Sequence, residues 1–209
     1  MKGIGVLREH LVAPRRMVVL ADTLSLSLLD AQTVLDVGCG DGSIDLLIQA
    51  AVPGLVIQGV DVLVWPKARI PVETFDGYRL PFNDKSFDAV MFVDVLHHTE
   101  DPMVLLREAK RVARRKIILK DHIMDSTLSY LILRFMDWVG NVHHNVALPY
   151  NYWPERRWRT AFDELELGIE QWQTALALYP WPASLIFEHG LHFVARLALE
   201  KGSNNVRFG

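Results

Sequence analysis

Cysteine is almost missing from this chain. Cys39 stands alone among 209 residues, which excludes an intrachain disulfide and any multi-cysteine metal site and suits a reducing, cytoplasmic compartment. A basic excess is missing too. The net charge of −3 argues against a nucleic-acid partner, and the basic run from Arg107 to Lys116 reads as the solvated face of a helix and the residues just after it. The shorter run Glu155-Arg156-Arg157-Trp158-Arg159 fits a surface helix, and also suits an anionic group. No apolar run approaches the ~20 residues of a membrane span. Arg8, Glu9 and His10 interrupt the first apolar stretch, and no small-residue cleavage pattern follows, so a secretory leader is not expected. Repeats, low-complexity tracts and heptads are absent. What remains is a globular profile, with 50% apolar and 22% charged residues, at a length that suits one domain.

Glycine is concentrated where it matters. Val34-Leu35-Asp36-Val37-Gly38-Cys39-Gly40-Asp41-Gly42-Ser43 reads as a buried strand running through a glycine-rich turn into a helix, and in an α/β sheet such a turn lies at the carboxyl edge, where ligands collect. Three glycines at alternate positions keep Cβ atoms out of a tight turn. The spacing is G-x-G-x-G, with Ser43 where the dinucleotide fingerprint places its third glycine, so a nicotinamide-dependent oxidoreductase is the disfavoured reading. Asp36, inside the strand, suits a cationic ligand, because a carboxylate accepts hydrogen bonds from an ammonium group. Cys39 between two glycines reads as a small side chain that the turn requires rather than as a nucleophile.

Val34 to Gly42 resembles the first motif of the class I S-adenosylmethionine-dependent methyltransferases, and three more segments follow in the family's order. Asp61 closes the next strand about 20 residues after Gly40, the Rossmann-type offset. Asp76-Gly77-Tyr78-Arg79-Leu80-Pro81-Phe82 resembles the segment that meets adenine. The fourth-strand segment is Ser86 through His98. The likeness is closest to the small ubiquinone-biosynthesis-like enzymes and covers roughly residues 30 to 120. It implies S-adenosylmethionine as cofactor, with Asp36, Gly38, Cys39 and Gly40 around the methionine part. It further implies Asp61 and Val62 at the ribose, Asp76 and Gly77 at the adenine, and Val93 and His98 near the sulfonium. The implied fold is α/β, a doubly wound Rossmann-like sheet of seven strands, parallel with an antiparallel terminal hairpin and helices on both faces.

Within one domain the chain divides into a helical cap (residues 1–30), a cofactor core (31–122), a helical substrate segment (123–168) and a terminal hairpin (169–209). Pro14 is expected to divide the cap into two helical pieces. Asp41 or Ser43 can cap a helix from Ile44 to Val52. Strands are expected at Leu55 to Val62, Val72 to Phe75, Phe87 to Val95 and Lys116 to Leu119. Too few residues separate the first two of these for a crossover helix, a departure from the family that leaves Val62, Leu63 and Trp65 to form the ribose-side wall. Asp101-Pro102 opens a helix from Met103 to Ala113. Asp125-Ser126 opens another through about Val139, with Leu128, Leu131, Ile132, Phe135 and Trp138 as its apolar stripe; that helix is a lid over an apolar substrate, or core, or a homodimer contact. Glu155 to Leu167 reads as helix, and Gln171 to Leu178 and His192 to Leu199 as the terminal strands.

Methyl transfer from a sulfonium asks mainly for alignment and desolvation, because the leaving group is already activated. An acceptor hydroxyl or acidic carbon also needs a base, for which a histidine near neutrality is suited. The candidates are His97, His98, Asp121 and His122 at the ends of strands four and five, and His143 and His144 in the substrate segment. Adjacent histidines on loops lack a recognisable ligand spacing, so no metal is expected. The reading is a methyltransferase for a small apolar or aromatic acceptor, with no nucleic-acid partner and no integral membrane segment. The alternative is a non-catalytic methyltransferase-like partner subunit.

Overall fold

Alternation along the strands sorts the side chains onto two faces. Leu35, Val37, Val90, Phe92, Ile117 and Leu119 join one buried cluster, while Val34, Ala89, Met91 and Ile118 join the other, as the period of two of a strand buried on both faces requires. The computed structural model describes residues 13–63, 65–141, 149–188 and 190–200. Its strands are β1 (Thr33–Val37), β2 (Val56–Asp61), β3 (Val72–Thr74), β4 (Phe87–Val93), β5 (Ala113–His122), β6 (Gly168–Gln173) and β7 (His192–Ala198), in the order β3-β2-β1-β4-β5-β7-β6. The first five are parallel and β7 runs antiparallel to both β5 and β6. This is the doubly wound seven-stranded sheet that the sequence implies.

Helix α1 (Ala13–Leu28) and α2 (Ser43–Ala51) cover one face. Leu20, Leu24 and Leu28 are fully buried there with Ile48 and Ile57. The first of the two expected helical pieces of the cap lies outside the described residues, and Pro14 opens the second. It stands in the first turn of α1, where its missing N–H has no helical partner to lose. On the other face lie α3 (Pro102–Val112) and α5 (Glu155–Glu164), with Leu105, Leu106, Trp158 and Phe162 in the core. Asp101 caps α3 by accepting the Met103 N–H at 2.9 Å, worth about 1 kcal/mol. Among the described residues between β2 and β3 there is no helix. A short α6 (Ser184–Phe187) precedes β7.

Two expectations change. β5 extends to His122, so Asp121 and His122 lie within the strand and are buried, rather than following it on a loop. The register explains the extra length, because Asp121 and His122 pair with Phe193 and His192 of β7, which continues the ladder past Leu119. Helix α4 (Thr127–Asn141) also turns its expected stripe outward. Leu128, Leu131, Phe135 and Trp138 are 67%, 57%, 47% and 48% exposed, whereas Leu133 is fully buried. Leu133 packs with Tyr152, Leu191, Tyr130 and Met136. Asp137 lies on the inward side too, and that polar residue on the packed face is what a purely apolar periodicity misses.

Candidate active site

The glycine-rich turn between β1 and α2 is built by close approach. Gly38 lies in the left-handed region at φ 75°, and a Cβ there would come 2.6 Å from Val95 Cγ2. At Gly42 a Cβ would meet Ile70 Cγ1 at 2.7 Å. Gly40 differs, because a Cβ there meets nothing within 4 Å; its bare backbone faces the open edge of the sheet. Asp41 accepts the Ser43 N–H at 3.0 Å and the Ser43 hydroxyl at 2.7 Å, which starts α2. Asp61 accepts the Gly40 N–H at 2.9 Å through one oxygen and the Leu63 N–H at 3.0 Å through the other. Each oxygen keeps a lone pair for a ligand hydroxyl. Asp76, exposed, accepts the Tyr78 and Arg79 N–H groups at 2.8 and 2.7 Å, which hold its carboxyl below the usual range. Gly77 lies against Val62, its notional Cβ 3.4 Å from Val62 Cγ1. Val93 ends β4 at the same edge.

Beneath the turn lies an arrangement absent from the sequence reading. Asp36 on β1 and Asp45 in the first turn of α2 are both buried, at 4% and 1% exposure. Burial, and then each other's charge, raise Asp36 well above the ordinary carboxylate value, and burial raises Asp45 to about 6. The pair therefore retains a proton that an incoming ammonium group would help to expel. Burial beside these carboxyls also pushes the Cys39 thiol up, so it is not a nucleophile.

The far half of the edge holds a buried charged cluster. Asp94, directly after β4 with φ 59°, pairs with Arg16 of α1 and Lys120 of β5. Burial opposes ionisation of Asp94, yet Lys120 and Arg16 outweigh it and hold the carboxyl well below its ordinary value. Burial lowers Lys120 despite Asp94. In the turn Leu96–His98, His97 Nδ1 lies 2.6 Å from Asp121 Oδ1 and His97 Nε2 lies 3.3 Å from Asp137 Oδ2. Burial works against charge on His97, but the two carboxylates raise it to about 10. Three cations, Arg16, Lys120 and His97, thus face three carboxylates, Asp94, Asp121 and Asp137. The Tyr152 hydroxyl donates to Asp137. His98, by contrast, is lowered to about 4 by burial and by its charged neighbour His97, and His122 is driven well below its ordinary value by burial and Lys120. His122 Nδ1 sits 3.0 Å from His192 Nδ1, while His192 Nε2 donates to the Phe187 carbonyl at 3.0 Å.

The structure brings the candidates Asp36, Gly38, Cys39, Gly40, Asp61, Val62, Asp76, Gly77 and Val93 to one half of the carboxyl edge, and His97, His98, Asp121 and His122 to the other. His143 and His144 lie outside the described residues. Asp45, Asp94, Lys120, Asp137 and His192 were not expected at the site from sequence. Lys120 and Asp94 had a signal, each a charge interrupting or closing a buried strand, whereas Asp137 had none.

With fold and edge in place, the comparisons converge. Residues 35–119 match the family model described as a methyltransferase domain. The chain is 34% identical over 92 residues to the demethylmenaquinone methyltransferase of Thermotoga maritima, covering 41% of this chain and 40% of that protein. It is 31% identical over 94 residues to the 27-O-demethylrifamycin SV methyltransferase of Amycolatopsis mediterranei, covering 39% and 34%. The matches thus span well under half of these relatives. Among solved structures the chain resembles the PH0226 protein from Pyrococcus horikoshii OT3, with a TM-score of 0.68 at 19% identity over 91% of this chain and 92% of that one. It also resembles the [4+2]-cyclase SpnF, with a TM-score of 0.64 at 14% identity over 88% and 81%. In fold and in its central segment the chain is thus similar to the class I S-adenosylmethionine-dependent methyltransferases.

Proposed function

We propose that this protein transfers a methyl group from S-adenosylmethionine to a small apolar or aromatic acceptor. The observation that carries the reading is the open face at Gly40 beside Asp61, in the turn that the family uses for its cofactor. Residues Asp36, Gly38, Cys39 and Gly40 would border the methionine part, Asp61 and Val62 the ribose, Asp76 and Gly77 the adenine. The cofactor supplies an activated methyl group when bound. The chain's own residues supply a shaped edge, and the Asp36–Asp45 pair would exchange its proton for the ligand's ammonium group.

Support for a small acceptor comes from the exposed aromatic and aliphatic face of α4 and from relatives named for demethylmenaquinone and 27-O-demethylrifamycin SV. His98, half-buried against His97 and lowered to about 4, is the best-placed base; its low proton affinity suits an acceptor that is already acidic. No helix among the described residues is long and apolar enough to cross a membrane. A fold does not fix a reaction, as the cyclase likeness illustrates. The test is turnover: incubation with S-adenosylmethionine and a panel of phenols, quinols and hydroxylated metabolites, reading S-adenosylhomocysteine and methylated product. Product formation supports the proposal; cofactor retained without turnover across the panel favours a non-catalytic partner.

A further inference from the structure

His97, His98 and Asp137 meet at the carboxyl edge, and the methyl-transfer proposal uses His98 alone of the three. One donor atom from each lies within 4.8 Å of the other two, although Asp137 comes from α4, far along the chain. His97 is 1% exposed, and its Nε2, buried against the Asp137 carboxylate, would lose its proton to solvent as an ion binds. The Nδ1 of the same ring is held at 2.6 Å by Asp121. A carboxylate placed in this way fixes the tautomer of a metal-binding histidine and turns the other nitrogen toward an ion. His98 Nδ1 is buried without a hydrogen-bond partner among the described residues. Asp137 Oδ2 lies 3.3 Å from His97 Nε2, and its carboxylate is oriented by the Tyr152 hydroxyl.

We propose that His97 Nε2, His98 Nδ1 and a carboxylate oxygen of Asp137 form a three-ligand site for a divalent transition-metal ion of the zinc class, one position left open for water or an acceptor oxygen. Two imidazoles and a carboxylate suit zinc, cobalt or iron; magnesium and calcium prefer all-oxygen sets. Metal–ligand bonds of ~2.0–2.2 Å require the donors to draw in by under about an ångström each. Three protein ligands with an open fourth position is the pattern of catalytic rather than structural zinc. The adjacent histidines have no third ligand nearby in the chain, and the inward face of α4 supplies it. The proposal stands whether or not the chain transfers methyl groups.

The test is titration of the metal-free chain with cobalt(II), followed by visible absorption, and with zinc(II) by calorimetry. One equivalent should bind, with cobalt bands of a four-coordinate site that zinc abolishes. His98→Ala, at a half-buried position, and Asp137→Asn should each weaken zinc binding at least tenfold. In the unsubstituted chain, zinc should shift the NMR resonances of His97 Nε2 and His98 Nδ1 and leave His97 Nδ1 protonated. Absence of the cobalt spectrum, unshifted ring nitrogens, or unchanged affinity in both variants would overturn the site.

Discussion

The two halves of the carboxyl edge are built on opposite plans. On the β1–β2 side, polar groups serve the backbone: Asp41 and Asp61 accept N–H groups of the turn, and glycines remove side chains wherever Val95 or Ile70 comes close. On the β4–β5 side, charged side chains serve one another, with Arg16, Lys120 and His97 set against Asp94, Asp121 and Asp137 in the interior. The first plan is local in the chain and leaves room for a ligand. The second is assembled from α1, β4, β5 and α4, and it ties both helices to the sheet. The open glycine-rich turn and the buried charged cluster are thereby separated in space.

The largest effect that separates the halves is expected at Lys120. Lys120→Met removes a fully buried cation and leaves the part-buried Asp94 paired with Arg16, and should destabilise the fold by about 3–5 kcal/mol, read from urea unfolding; a loss under ~1 kcal/mol would mean the cluster is solvated. The faces of α4 give the next contrast. Leu133→Ala should cost about 2–5 kcal/mol, whereas Leu131→Ala should stay within about 0.5 kcal/mol, and equal losses would return Leu131 to the core.

On the cofactor side the effects belong to binding. Asp61→Ala should weaken S-adenosylhomocysteine affinity by about 1–3 kcal/mol, the range for a hydrogen bond to a charged group, and unchanged affinity would remove Asp61 from the map. The smallest effect concerns pH. Asp45 has a folded-state value of about 6, above its ordinary 3.8, so the folded chain holds this proton more tightly than the unfolded one. Its contribution is full below about pH 4 and is lost as pH rises toward 6. In Asp45→Asn the decline of stability across that window should be shallower than in the unsubstituted chain; an identical slope would show that Asp45 titrates normally.

How far each half could be read from sequence follows from the same contrast. Gly38, Gly40, Gly42 and Asp61 lie in one strand-turn-helix-strand unit, so spacing alone brings them together. The strand order was legible through the family resemblance, and the reduced connection after β2 from the few residues between Asp61 and Val72. The charged cluster was not, because Arg16, Asp94, Lys120 and Asp137 are neighbours only after the sheet has formed. The α4 stripe misled for a related reason. Periodicity identifies an apolar face without saying whether the packed face is the apolar one, and here Asp137, the buried partner of Tyr152, faces inward while Leu131 and Phe135 face out. The length of β5 depended on its pairing with β7, which no local pattern encodes.

The most direct test of the central claim is calorimetric titration of the purified chain with S-adenosylhomocysteine, with NAD as control. The account predicts one site per chain for S-adenosylhomocysteine and no heat from NAD. Binding of NAD alone, or of neither ligand, would contradict the assignment of the glycine-rich half of the edge.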